Sequence, residues 1–210
     1  MTWTVHTCLI TLAILCVWQA EVAETCRCIW RHPQEQFCSA DMVMKAKVLG
    51  GLKVGITSHG NFSIKGYHIK QLKSFKRNCI EINTIYTNPS SASCGITLKY
   101  NTEYLLSGSL RDGKMHVSSC DFVRQWDTLT DSQREGVVSN YEQGCGCKIT
   151  HCYSSPCAAS SSAECLWGDE ATETKLFGKR TTGYTCTMKS DKSCAWCKNG
   201  GKNCIDLKDA

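Results

Sequence analysis

The chain lacks the short signatures on which hydrolytic and nucleotide chemistry usually rest. No His-Glu-x-x-His, no Gly-x-Ser-x-Gly and no phosphate-cradling glycine loop occurs in its 210 residues. Its six histidines are scattered without metal-ligand spacing, so each reads as a surface or packing residue. These absences argue against an enzyme. No internal repeat is found, which sets repeat architectures aside. Beyond the first 25 residues no stretch is apolar and long enough to span a membrane. Acidic residues are missing altogether between Met42 and Ile80, where Lys45, Lys47, Lys53, Lys65, Lys70, Lys73, Lys76 and Arg77 fall. Such a face suits sulfated glycans of the extracellular matrix, although a solvated strand face is the plainer explanation.

What is present begins with Leu9 to Trp18, an apolar run of signal-peptide length followed by small and polar residues. A cut after Thr25 would make Cys26 the first residue; a cut after Ala23 would leave two residues ahead of it. Residues 1–25 are therefore read as a leader, and the product as secreted to the extracellular space or matrix. Losing Glu21 and Glu24 with the leader leaves 24 basic against 17 (19 − 2) acidic residues, a formal charge of +7. Cys8 and Cys16 depart too, so 15 of the 17 cysteines remain. In an oxidising compartment that density reads as disulfides rather than metal ligands, Cys194-x-x-Cys197 included. The odd number leaves at least one thiol free or bonded to another chain.

Pro33 stands where a first helical turn tolerates it, which predicts a short helix over Gln34 to Cys38. Alternation follows. Met42, Met44, Ala46 and Val48 share one side of a strand, with Lys45 and Lys47 on the other. Ile80, Ile82, Thr84 and Tyr86 repeat the pattern, as do Ile96, Leu98 and Tyr100. "EYLLSG" and "MHVSSCDFV" add two strands around an Asp112-Gly113 turn. Ile64 to Phe75 is ambiguous between helix and strand. Short strands with turns between them predict a small barrel or sandwich. Thr130 and Gln133 fit a capping box that opens a helix over Asp131 to Gln143, with Gly144 where it would stop. From Cys147 onward cysteines replace long apolar runs, the mark of a smaller bridged unit. Asn61-Phe62-Ser63 is a glycosylation sequon, which calls for an exposed loop.

The Cys26-Arg27-Cys28 start, "HPQEQFCSADMVMKAKV", "IYTNPSSASCG", "DGKMHVSSCDFVRQWDTLT", "GCGCKITHC", "ECLW" and "SDKSCAW" together resemble the tissue inhibitors of metalloproteinases. The likeness runs from Cys26 to about Trp196. It implies a mainly β fold with short helices. Residues 26–145 would form a five-stranded oligonucleotide/oligosaccharide-binding (OB, netrin-like) barrel, and residues 146–210 a small disulfide-rich unit. It also implies the bridges Cys26–Cys94, Cys28–Cys120, Cys38–Cys145, Cys147–Cys194, Cys152–Cys157 and Cys165–Cys186. Cys79, Cys197 and Cys204 stay outside that frame; Cys197 and Cys204 are near enough in sequence to pair.

In function, the resemblance implies a secreted inhibitor with no cofactor of its own. Its partners would be matrix metalloproteinases and related zinc endopeptidases, with no nucleic acid. The amine and carbonyl of Cys26 would chelate the protease's catalytic zinc and displace its water. Cys26, Arg27, Cys28, Ile29 and Trp30 would form the ridge that enters the cleft, flanked by Ser91, Ala92, Ser93 and Cys94. Three positions depart from the family pattern: Arg27 replaces the usual Thr or Ser, Trp30 a common proline, and Ser93 an aliphatic residue. The competing reading is a netrin-like module without inhibitory activity that binds matrix glycans or a cell-surface partner.

Overall fold

The computed structural model describes residues 25–57, 60–77, 80–153, 157–168, 183–198 and 203–205. Cys79 and all but the last residue of the expected leader, 1–25, lie outside them.

The first helix, α1 (Pro33–Ser39), starts as Pro33 suggests, with an unexpected cap. His32 Nδ1 accepts from Gln34 N and Glu35 Oε2 accepts from His32 N, a capping box whose N-cap is histidine rather than Ser or Thr. Two long strands follow, β1 (Met42–Thr57) and β2 (Gly60–Lys76), paired antiparallel along their length with several register shifts. The ambiguous segment from Ile64 to Phe75 is thus strand. Shorter strands complete the barrel: β3 (Thr84–Thr87), β4 (Glu103–Arg111) and β5 (Lys114–His116). The sheet order β1-β2-β3-β5-β4, with β4 returning to pair β1, closes a five-stranded barrel. The β3–β5 pairing is parallel and the others antiparallel. A sixth strand, β6 (Val123–Gln125), adds to β4 from outside.

Met42, Met44, Ala46 and Val48 point into the barrel as the alternation requires, each fully buried. Val43 faces the other way and is equally buried, because α1 and the segment after β6 cover that part of β1. Phe37, Val43, Leu105, Phe122, Leu129, Val137 and Tyr141 make this second apolar cluster.

Several expectations need correction here. Ile80 and Ile82 precede β3, and the segment from Met115 to Val123 holds only the end of β5 and the start of β6. Ile96, Leu98 and Tyr100 alternate but form no strand. Their neighbourhood sends backbone donors to side-chain hydroxyls instead: Ile96 N to Thr87 Oγ1 (3.0 Å), Leu98 N to Tyr67 OH (3.2 Å) and Lys99 N to Tyr104 OH (3.0 Å). Ile96 and Leu98 are buried by this arrangement while Tyr100 stays exposed. The expected helix over Asp131 to Gln143 is also shorter. The Thr130–Gln133 capping box is present, but regular helix α2 spans only Asp131–Glu135 and widens into a π turn over Gly136–Asn140. Gly136 explains the widening, since a Cβ there would lie 2.5 Å from the Tyr141 ring. Tyr141 packs on the bare backbone, and its N–H bonds five residues back to Gly136 O at 2.7 Å.

The remainder forms β7 (Lys148–Cys152) parallel to β8 (Glu164–Gly168), and a sheet of β9 (Thr185–Met188), β10 (Cys194–Lys198) and β11 (Asn203–Ile205). Trp167 and Trp196 fill its centre among Ile149, Cys165, Cys186 and Cys194, so bridges and an apolar core act together. Trp196 Nε1 donates to Leu166 O at 2.7 Å, satisfying the indole inside that core.

Seven disulfides close among the described residues. Six are the pairs that the resemblance implies, and the seventh joins Cys197 to Cys204. Asn61 is the second residue of β2 rather than part of a loop; its side chain lies outside the described residues.

Candidate functional site

Residues 25–32 run without regular structure ahead of α1, and two disulfides fix where they go. Cys26 is bonded to Cys94 and Cys28 to Cys120. The bridges lie side by side, with Cys26 Sγ 3.8 Å from Cys28 Sγ and Cys94 Sγ 3.9 Å from Cys120 Sγ. Four sulfurs this close could suggest a metal cluster, but each is spent in a covalent pair.

The two loops that receive these bridges are themselves tightly held. In the Cys94 loop, Ser93 N and Gly95 N both donate to Ser90 O, Cys94 N donates to Ser91 O, and Asn88 Nδ2 reaches Ser93 O. Gly95 is required: a Cβ there would fall 2.1 Å from Asn88 O. Cys94 has φ of 61°, a left-handed backbone that a non-glycine residue adopts only when its surroundings enforce it. In the Cys120 loop, Asp121 Oδ2 accepts from Ser118 N and Ser118 Oγ, each at 2.7 Å. Ser119 N donates to Cys94 O at 2.9 Å, joining the loops, and Gln36 Nε2 from α1 donates to Cys120 O at 3.1 Å.

The outcome is a fixed ridge with exposed chemistry. Arg27 is exposed, with no ion-pair partner among the described residues. Ile29 and Trp30 are 75% and 55% exposed, unusual for side chains so apolar. Ser91 and Ala92 are exposed on the bridged loop, with Ser93 half-buried behind them. The bridges therefore bring both predicted segments, 26–30 and 91–94, to one face.

Sequence reasoning missed how this face joins the rest of the chain. The Trp30 ring lies 5.0 Å from that of Trp167 in β8. His32, fully buried, sits between Trp167 (5.5 Å) and Trp196 (5.0 Å). Glu35 Oε2 also meets His151 Nε2 at 3.1 Å. Glu35, three residues after His32, was the one available signal for this junction, as the acidic half of a capping box.

The basic run is less uniform than it reads. Lys45 pairs with Glu103 at 2.7 Å. Lys76 turns inward onto the carbonyls of Phe37, Cys38 and Ala40, and burial lowers its pKa. Cross-strand register nevertheless sets Lys45 opposite Lys73 and Lys47 opposite Lys70.

A closed five-stranded barrel thus carries, over residues 26–30, an exposed segment pinned by two adjacent disulfides. Residues 24–196 match the family described as tissue inhibitor of metalloproteinase. Metalloproteinase inhibitor 2 of Homo sapiens is 42% identical over 197 residues, covering 89% of each chain. That of Gallus gallus is 43% identical over 192 residues (88% of this chain, 87% of the relative). That of Oryctolagus cuniculus is 41% identical over 194 residues (88% and 100%). The chain belongs to the tissue inhibitor of metalloproteinase family, whose members inhibit and do not catalyse. No described helix is long and apolar enough to cross a membrane.

Proposed function

We propose that this is a secreted inhibitor whose Cys26, once it is the first residue, presents its amine and carbonyl oxygen to the catalytic zinc of a metalloproteinase. A catalytic zinc keeps one coordination position for the water that attacks the substrate. Two donors from Cys26 would occupy that region and expel the water. The amine must be neutral to donate its lone pair, which is accessible because an α-amino group titrates at about 7.7–8.0 and the metal favours the neutral form.

The observation that carries this reading is the pair of adjacent disulfides at residues 26 and 28. They span 68 and 92 residues of chain, and each restricts the unfolded state by about 4–5 kcal/mol in the chain-entropy treatment. For binding, their effect is preorganisation: the terminus is ordered before a protease arrives, so little freedom is lost on contact.

A titration of a matrix metalloproteinase catalytic domain with the secreted chain checks the reading. Tight inhibition near one-to-one stoichiometry is expected. A chain carrying one alanine ahead of Cys26 has an amide where the amine should be, and it should lose nearly all inhibition. Equal potency of the two forms would rule out zinc chelation by Cys26.

A second reading is favoured by the lysine pairs across β1 and β2. Like charges placed directly opposite destabilise a sheet, and a polyanion would relieve that repulsion. Sulfated glycans of the matrix fit this role. Retention on heparin at physiological salt that falls on Lys70→Gln with Lys73→Gln supports it; elution of the wild-type chain below that salt removes it.

A further inference from the structure

Beside the ridge lies a cavity of about 250 Å³ lined by Ile29, Trp30, His151, Cys152, Tyr153 and Trp167. Ile29 and Trp30 are themselves ridge residues, so the cavity is continuous with the surface that a protease would cover. Its opposite wall is rigid. Trp167 is 2% exposed, His151 meets its ring edge-on at 4.5 Å, and Tyr153 stacks on His151 at 5.9 Å. His151 is held in turn by Glu35, and the Cys152 sulfur is closed by Cys157. Yet the mouth stays open, for Tyr153 is 73% exposed.

We propose that this cavity receives one apolar or aromatic side chain from the wall of the target metalloproteinase beside its cleft, which makes Trp30 and Tyr153 specificity-determining residues. The inference rests on the ridge reading above. Continuity identifies the occupant's source: a protein seated on residues 26–30 also caps the cavity. The lining identifies its chemistry, because the wall is almost entirely ring and hydrocarbon and its His151 Nε2 is already engaged by Glu35. The volume suits one large side chain. A single aromatic anchor in a preformed, dehydrated pocket is the usual form of an interface hot spot. Trp30 supplies the wall on the ridge side, which a proline at that position would lack.

The test uses the whole secreted chain against a panel of matrix metalloproteinase catalytic domains, following association and dissociation. Tyr153→Ala should raise the dissociation rate about tenfold for at least one protease with stoichiometry unchanged. Tyr153→Phe should keep wild-type rates, and Trp30→Pro should repeat the alanine effect on the same proteases. Tyr153 is exposed, so an unchanged unfolding midpoint will show that the fold is intact. Rates within twofold of wild type for both Tyr153→Ala and Trp30→Pro would overturn the pocket and leave Cys26 chelation standing. Failure of the wild-type chain to bind any protease would overturn both. A wild-type dimer in sedimentation that Tyr153→Ala dissolves, with inhibition unaffected, would give the pocket to a second copy of this chain and refute the proposal.

Discussion

Gln34 and Cys186 are 152 positions apart, yet each holds the other by two hydrogen bonds: Gln34 Nε2 donates to Cys186 O at 2.7 Å and Cys186 N donates to Gln34 Oε1 at 2.8 Å. The same Nε2 donates to Gly144 O at 3.0 Å. All three contacts are buried, so α1 is stitched to the carboxy-terminal sheets by one amide. Gly144 permits the approach, since a Cβ there would stand 2.2 Å from Cys186 O. That close approach, and not a helix stop, is its role.

Replacing Gln34 by Leu keeps most of the volume and strands the buried N–H and carbonyl of Cys186, while Gly144 O keeps the Cys147 N–H at 3.0 Å. Each unsatisfied group costs about 1–3 kcal/mol, less where water enters, so a net loss of about 2–4 kcal/mol is expected. Guanidinium unfolding with the disulfides intact reads it directly. A midpoint equal to wild type would mean that the two parts are joined by other contacts.

Glu164 predicts the acid behaviour of the carboxy-terminal part. Its carboxylate accepts from Ser160 Oγ and N, from Lys148 Nζ and from Thr150 Oγ1. The two Ser160 bonds contribute most, and together these donors hold its pKa down to about 2, from an ordinary value of 4.5. A carboxylate with a depressed folded pKa adds stability above its unfolded value, and that contribution is lost as pH falls through the folded one. Stability should therefore decline between about pH 4.5 and pH 2. Glu164→Gln should flatten that slope when unfolding is followed at several acid pH values. An identical pH profile in the variant would place the acid sensitivity elsewhere.

These two sites show what the amino-acid order discloses and what it withholds. Strand β1 was legible from Met42 to Val48 because one face stays buried along its length, and the Thr130 cap because its chemistry is local. The pattern of Ile96 and Leu98 read as a strand since burial alone produces alternation, whichever groups take the backbone hydrogen bonds. The helix beyond Glu135 was misjudged because the Gly136–Tyr141 contact is decided by ring packing rather than propensity. For the site, the cysteine spacing and flanking motifs placed residues 26–30 and 91–94 through resemblance. The meeting of Trp30 with Trp167, and of Glu35 with His151, depends on tertiary approach across more than a hundred residues and leaves no periodic trace.

Lys76 separates the structural from the exposed members of the basic run. Its ammonium donates to Phe37 O, Cys38 O and Ala40 O at 3.2, 2.6 and 2.7 Å, satisfying carbonyls at the end of α1. Lys76→Met should cost about 1–3 kcal/mol of stability and leave heparin retention nearly unchanged. Substitution of the paired Lys70 and Lys73, which lie on the exposed strand face, should show the reverse. If Lys76→Met lowers retention as much as the paired change without affecting the unfolding midpoint, the lysine acts at the surface instead.

Arg27, exposed between the two bridges, makes the proposed seating testable across proteases. The bridges on either side fix its backbone, and on the proposed seating of Cys26 at the zinc its side chain faces the pocket beside the ridge. A guanidinium cannot shed its charge there, and burying it without a partner costs several kcal/mol. Proteases with a deep, solvated or acidic pocket meet that requirement, and those with a closed apolar pocket do not. Arg27→Thr should therefore strengthen inhibition of the second group by about 1.4–2.8 kcal/mol, roughly tenfold to hundredfold, and change the first group little or weaken it. Inhibition constants across a panel of catalytic domains, measured beside a control that begins with an extra alanine, give the answer. If the constants are the same for both residues on every protease, the side chain at 27 stays outside the pocket and the selectivity of this inhibitor is set elsewhere on the ridge.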